Sequence, residues 1–383
     1  MEKHEFTLID EDGALGGLTQ ALQALGEDDF VGLDTEFLRV NTLMPVACLL
    51  QLHVSGRNYL VDPFSKGPSF GPFLKALAGV RAQVLLFSGD EDLDVLVGLT
   101  EECCGARALP GRIIDLQVMS QFCGTGPVMG LNTIVERKLG ITLDKSQTLS
   151  DWTVRPLKDE QLQYAVADIA YLPRLYEALR KEISERNYGF MLEECASRAA
   201  ESLREVDPAS LYLQVPGAGA LSTQELVRLR HIVRKRYEFA REHNVALNWV
   251  ITSSCLRQLA RASIKGLKDL AAAGMKGGAI REYGKMVLGW CREAQSLNDE
   301  PDIRLPCDLF LQKRSFQSRI NKVRHYLTRM AKDNGIDPVL VSSKRLVANL
   351  FYARYYNEKS IISKGWQGRI CPEAEGMVSL DEK

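Results

Sequence analysis

Phe30-Val31-Gly32-Leu33-Asp34-Thr35-Glu36-Phe37 decides how the first half of the chain is to be read. An apolar run of strand length ends on two carboxylates spaced two apart, and in a strand that spacing sends both side chains to one face, where they can share a cation. Alone the pair is weak evidence. With 49 acidic residues in the chain such spacings arise readily, and a solvated strand end carries the same pattern.

Outward from this stretch, apolar runs bounded by turn residues predict further strands over 47–54, 59–63 and 84–87. Helical periodicity predicts helices over 17–25, 73–77, 92–99, 116–122 and 131–139, and a long one over 157–183 opened by Pro156. Three early strands followed by strand-helix units imply an α/β domain, a mixed sheet with helices packed on it.

Two more acidic elements fall in this half. Phe87-Ser88-Gly89-Asp90-Glu91-Asp92-Leu93 carries a buried strand through a short turn into a helix with an acidic first turn, which ordinary N-terminal capping also explains. Tyr164-Ala165-Val166-Ala167-Asp168 places a hydroxyl and a carboxylate one helical turn apart. Asp168 sits among apolar and small residues, where an unpaired charge is costly; a buried hydrogen bond or a cation held jointly with Asp34, Glu36 and Asp92 would compensate it. Without a cation, four such carboxylates repel and their pKa values rise.

The chain has 383 residues, 45% hydrophobic and 25% charged, which suits two or three globular domains and argues against disorder. No run approaches the roughly 20 apolar residues of a membrane span. Glu2, Lys3, His4 and Glu5 stand where a signal peptide has its apolar core, so a soluble, cytoplasmic protein without a membrane partner is expected. Nine scattered cysteines without a C-x-x-C pair indicate reduced thiols, neither a disulfide framework nor a zinc site. The net charge of -1 conceals opposed halves: residues 1–210 hold 19 Lys and Arg against 32 Asp and Glu, and residues 211–383 hold 29 against 17. A basic half is drawn to phosphate backbones and an acidic half can hold divalent cations, although two solvated surfaces have the same composition.

Pro, Gly and small residues over 206–210 and 215–220 mark a break beyond which helices dominate, and a second break spans 296–306. The pieces on either side echo each other weakly, Leu229-Arg230-His231 against Val323-Arg324-His325.

Taken together, D-x-E on an early strand, E-D-L after a central strand and Y-x-x-x-D on a late helix resemble the DEDD superfamily of 3′-to-5′ exonucleases, in its Tyr-containing subgroup. That subgroup's counterpart has a His five residues before the last Asp, where this chain has Gln163. The stretch 30–37, Leu143-Asp144-Lys145-Ser146, Asp151-Trp152, Arg155-Pro156-Leu157 and Tyr164 to Asp168 with Tyr171-Leu172 are similar to the bacterial ribonuclease D family over the first domain. The basic half resembles that family's two HRDC (helicase and RNase D C-terminal) modules, and Ser363-Lys364-Gly365-Trp366-Gln367-Gly368-Arg369 is similar to its ending. Phe87 stands where the family often has His, Leu116 where Thr often follows Asp115, and Gly274-Met275-Lys276-Gly277-Gly278 departs from the usual Gly-x-Gly hairpin.

The resemblance implies a ribonuclease H-like, DnaQ-like exonuclease domain over 1–205, a linker over 206–217, one HRDC domain over 218–295, a second linker over 296–306 and an HRDC-like domain over 307–378. It implies that Asp34, Glu36, Asp92 and Asp168 hold two Mg²⁺ or Mn²⁺ ions about 4 Å apart and that Tyr164 orients the attacking water. The expected substrates are RNA 3′ ends, tRNA precursors among them, with no obligate protein partner. Lys145, Trp152 and Arg155 are candidate RNA contacts, two cations and an aromatic face, with core packing and an ion pair as the alternatives for the last two. The motifs do not see the 2′-hydroxyl, so a DNA-directed exonuclease stays open, as does a non-catalytic RNA-binding protein, although none of the ligand carboxylates is missing. A helicase-associated adaptor is disfavoured by the lack of a G-x-x-x-x-G-K-[ST] loop.

Overall fold

The computed structural model describes residues 3–124, 126, 128–143, 147, 150–298, 300, 303–306 and 308–380. The chain clusters into two compact units, the first of residues 1–39, 44–204 and 335–337 and the second of 40–43, 205–334 and 338–383.

The first unit is built on a six-stranded mixed sheet. In chain order its elements are β1 (Thr7–Ile9), α1 (Leu15–Ala24), β2 (Phe30–Leu38), β3 (Val46–Val54), β4 (Arg57–Val61), α2 (Phe70–Ala78), β5 (Gln83–Leu86), α3 (Asp90–Cys104), β6 (Ile113–Asp115), α4 (Leu116–Phe122), α5 (Leu131–Leu139), α6 (Asp159–Ala170), α7 (Leu172–Arg180) and α8 (Glu185–Leu203). The strands lie in the order β1-β4-β3-β2-β5-β6, so the strand with Asp34 and Glu36 is central. It pairs antiparallel with β3 and parallel with β5.

Alternation along β2 divides the two faces. Val31 and Leu33 join Leu50 and Leu52 of β3 in the large core that holds Leu18 and Leu22 of α1, Phe70 and Phe73 of α2 and Leu93 of α3. Asp34 and Glu36 point to the other face, where Leu49 and Leu60 pack with Trp152 and with Leu162, Ala165 and Val166 of α6. Gly32 shares that second face, and a Cβ on it would come within 3.1 Å of the His53 Cβ and 3.3 Å of the Ile169 carbonyl oxygen. The α6 end therefore lies so close to the sheet that a Cβ here would have to push its neighbours back by a few tenths of an ångström.

The structure differs from the sequence-based expectation in four elements. Strands β1 and β6 were not expected: each spans three residues at a sheet edge, too short for alternation to register. The long helix over 157–183 is two helices. Pro173 falls in the first turn of α7, where it lacks an N–H and its ring excludes the preceding carbonyl, so the chain turns at Tyr171. Pro156 does not open α6, whose cap is Lys158, with its backbone N–H donating to the Gln161 side-chain oxygen at 3.1 Å. Helix α8 was also not expected; Ser184 caps it, accepting from the Asn187 N–H at 3.2 Å.

The second unit is helical. Its first part comprises α9 (Thr223–His243), α10 (Leu247–Val250), α11 (Ser253–Arg261), α12 (Leu267–Ala272) and α13 (Gly277–Gln295), around a core that includes Leu226, Leu229, Leu256 and Val287. Ser222 and Glu225 form a reciprocal cap on α9. Residues read as linker are packed here. Tyr212 is buried in this core, and its hydroxyl donates to the Arg304 carbonyl at 3.0 Å. Further helices follow between Leu309 and Ile370. No helix among the described residues is long and apolar enough to cross a membrane.

Substituting Gly32→Ala is expected to destabilise the protein by about 1–3 kcal/mol, as overpacking against a backbone carbonyl does. Urea denaturation checks this, and an unchanged midpoint would mean that α6 and α7 shift freely on the sheet.

Candidate active site

Three elements converge at the end of the central strand. Asp34 and Glu36 project from β2, and α6 crosses them with Tyr164 and Asp168 on its near side. One carboxylate oxygen from each of Asp34, Glu36 and Asp168 lies within 4.8 Å of the others. Asp92 is not part of that closest group. It arrives in the first turn of α3, buried, and its Oδ1 accepts a 2.5 Å hydrogen bond from the Thr35 hydroxyl. Thr35 is the residue between the two β2 carboxylates and faces the opposite side of the strand.

The turn that delivers Asp92 is held by a residue the sequence reading passed over. Asp115 ends β6, caps α4 through the Gln117 and Val118 N–H groups at 2.8 and 3.2 Å, and also accepts from the Ser88 and Gly89 N–H groups, both at 3.0 Å. Ser88 adopts a φ of 59°, a left-handed conformation that a side chain with Cβ holds only when its surroundings impose it. An Asp between an apolar strand and a helix is an N-cap signal, and that signal was available.

Removal from water pushes every carboxyl in the group upward, and mutual repulsion adds to it. Asp34 is raised well above the ordinary range by burial and then by the charges of Asp92, Asp168 and Glu36. Glu36 is pushed up to about 8 by burial and by Asp168 and Asp92. Burial takes Asp168 to about 7 against a hydrogen bond from Tyr164, and Asp92 to about 6 against the Thr35 hydrogen bond. The mutual repulsion expected of four gathered carboxylates is present. An all-oxygen set of acids that resist ionisation together suits a hard divalent cation, whose charge would reverse that resistance.

A cleft of about 380 Å³ opens over the group, lined by Asp34, Glu36, Tyr164 and Asp168 together with Phe87 and with Asn132 from the first turn of α5. Asn132 and the neighbouring Gly130 and Leu131 were not singled out from the sequence; the glycine before an apolar-periodic run marks the helix start that brings them there.

The candidate RNA contacts fare differently. Trp152 is 5% exposed, packed beside Tyr164 with ring centroids 6.1 Å apart, so no base can stack on it. Arg155 is engaged internally. Its Nε and Nη2 donate to the Asp62 carboxylate, Nη2 also to the Cys48 carbonyl at 2.6 Å, and Nη1 to the Trp152 and Val154 carbonyls at 2.8 and 3.0 Å. Its donors are spent on the fold, which makes it an anchor of the segment before α6. Lys145 lies outside the described residues. Gln163 exchanges hydrogen bonds with the His4 backbone at 3.0 and 3.2 Å, fixing the N-terminal segment to α6.

Residues 11–184 match the family model for a 3′-5′ exonuclease, and residues 225–291 match the HRDC domain. The crystal structure of Escherichia coli RNase D superposes with a TM-score of 0.82 at 28% identity, covering 97% of this chain and 98% of that one. Ribonuclease D of Escherichia coli is 29% identical over 96% of this chain and 97% of its own length. Ribonuclease D of Pseudomonas paraeruginosa is 32% identical over 88% of each chain. The chain belongs to the ribonuclease D family. As a member of the ribonuclease D family it is a metal-dependent 3′-to-5′ exoribonuclease, an α/β exonuclease domain followed by a helical HRDC region. The catalytic core of RRP6 from Trypanosoma brucei, at 20% identity and a TM-score of 0.56, shares the fold.

These carboxyls hold their protons to higher pH in the folded chain than the value near 4 that they have when unfolded. Their contribution to stability is therefore complete below about pH 4 and is lost as the pH rises through 6 to 8. Melting in EDTA should fall across that window for the wild type and fall less for Glu36→Gln, the two curves meeting near pH 4. Parallel curves would show that Glu36 is not ionised against resistance.

Proposed function

We propose that the carboxylate group is the hydrolytic centre and that it removes nucleotides singly from RNA 3′ ends, including those of tRNA precursors. The observation that carries this reading is the meeting of Asp34, Glu36 and Asp168 within 4.8 Å beneath a cleft that also exposes Tyr164. The description of the Escherichia coli enzyme as an exoribonuclease involved in structured RNA processing supports a structured RNA substrate. Eight cysteines are described and all are free thiols, which suits a reducing, cytoplasmic setting.

Asp34, Glu36, Asp168 and, through its second oxygen, Asp92 would hold two divalent cations, magnesium or manganese. Such ions supply Lewis acidity that lowers the pKa of the attacking water and offsets charge on the leaving 3′-oxygen. The chain's own residues do the rest. The hydrogen bond between Tyr164 and Asp168 fixes the phenol over the cleft, where its oxygen can accept from the attacking water and orient it. With an ordinary pKa near 10, the phenol is an orienting group more than a base. The Thr35 hydroxyl keeps Asp92 turned towards the β2 pair, and Phe87 gives the cleft an apolar wall. Attack on phosphorus breaks the bond to the 3′-oxygen and releases a nucleoside 5′-monophosphate.

The helical half serves RNA binding in this reading, as two modules over 218–295 and 307–378. The HRDC match over 225–291 supports the first, and the echo between the halves supports the second. Lys313, Arg314 and Lys322 are exposed where they can meet phosphates, as is Arg234, which lies 3.7 Å from the Glu238 carboxylate. Arg236 is not among them, since it is buried and donates to the Ile251 carbonyl at 2.8 Å.

Release of 5′-monophosphates from a 3′-extended tRNA, compared with single-stranded DNA, in Mg²⁺, Mn²⁺ or EDTA, tests the reading. Asp168→Ala is expected to lower kcat on the order of 10³-fold or more while keeping the far-UV spectrum, and Tyr164→Phe to lower it about 10²-fold. An active Asp168→Ala enzyme would sink the assignment of the site. Faster digestion of DNA than of tRNA would move the substrate to DNA.

A further inference from the structure

Several buried polar atoms of the first unit lack a hydrogen-bond partner among the described residues, and Gln51 is the side chain in which both the oxygen and the nitrogen do. Gln51 is 0% exposed, and neither its Oε1 nor its Nε2 has a hydrogen-bond partner among the described residues. Its place is specific. In the β2-β3 register it lies directly opposite Asp34, so the two side chains share a face with Cβ atoms about 4.5–5.5 Å apart. On its other side its register partner is Leu60 of β4. Leu60 and Leu49, the same-face neighbour two residues back, belong to the apolar cluster formed with Ala165 and Val166 of α6. The next polar residue on that face, His53, is paired with the Asn58 side chain at 2.8 Å. The unpaired carboxamide is confined to the position under Asp34.

Burying a carboxamide without a partner works against folding, and an aliphatic side chain of the same size would suit this floor better. A departure of this kind from the local rule belongs with function. We propose that Gln51 is a positioning residue of the nuclease centre: its Nε2–H donates to Asp34 when that carboxylate turns to receive a cation, setting the ligand's orientation from beneath. A neutral donor is the group the place calls for. Lys or Arg there would compete with the cation for Asp34, whereas a second carboxylate would add to the repulsion; a carboxamide orients the ligand without either effect. The inference rests on the reading of Asp34 as a cation ligand.

The test pairs stability with metal binding in the full-length protein, using Mn²⁺ alone as the probe. Gln51→Met removes the polar atoms at nearly constant volume. In EDTA it is expected to melt at the wild-type temperature or above, while Mn²⁺ binding, followed by titration calorimetry, weakens about 10- to 100-fold. With Mn²⁺ limiting, kcat should fall and the KM for RNA stay as it was. A side chain needed only for packing would lower the melting temperature and leave Mn²⁺ affinity unchanged, and that result overturns the proposal. So does failure of both Gln51→Met and Gln51→Leu to fold, which would make the carboxamide a structural group. Asp34→Asn separates the two levels of inference. If it binds Mn²⁺ like the wild type, the reading of the site itself fails. If it loses Mn²⁺ while Gln51→Met keeps it, only the positioning role fails.

Discussion

Four carboxyl groups gathered around the end of the sheet's central strand set the terms for the whole first unit. Each is raised by burial, and repulsion acts on Asp34, Glu36 and Asp168 from their neighbours. A chain free to relax would move them apart. The fold prevents this by placing them on three separately anchored supports: two on the central strand, one on a helix laid across it and one in the first turn of another helix. The hydrogen bonds that lower the pKa of Asp168 and Asp92 come from Tyr164 and Thr35, so the same contacts that position these acids also ease their ionisation.

The supports themselves have identifiable fastenings. Asp115 joins the start of α4 to the turn before α3 through four backbone amides, which ties the fourth carboxylate to the edge of the sheet. Arg155 joins the segment before α6 to Asp62 after β4 and to the Cys48 carbonyl in β3. A guanidinium engaged in this way fastens the segment that leads into α6. Gln163 holds the N-terminal segment against the same helix from outside.

The central strand, the two carboxylates on it, the E-D-L turn and the Tyr164–Asp168 helix were legible because each combines strong periodicity with residues of rare function in a fixed order. Strands β1 and β6 were not, being three residues long and specified by their partners more than by their own pattern. The break at Tyr171 was legible in principle, since Pro173 states it, but an unbroken apolar rhythm on either side masked it. Trp152 and Arg155 show a different limit. An aromatic and a cation close to a catalytic helix look the same in sequence whether they face solvent or the core, and here burial and five hydrogen-bonded donors decide for the core. Gln51 could not be found from sequence at all, because a glutamine in an apolar strand declares neither its neighbours nor the lack of a partner.

The Thr35 hydroxyl holds Asp92 from the side of the central strand opposite Asp34 and Glu36. Asp34 and Glu36 face one way and Thr35 the other, so the middle residue of the D-x-E triplet is the one that recruits the distant acid. That position is not a spacer. Its hydroxyl and the Asp92 carboxylate act as one unit: serine there would keep the donor, while valine, similar in shape, would leave a buried carboxylate without its hydroxyl partner.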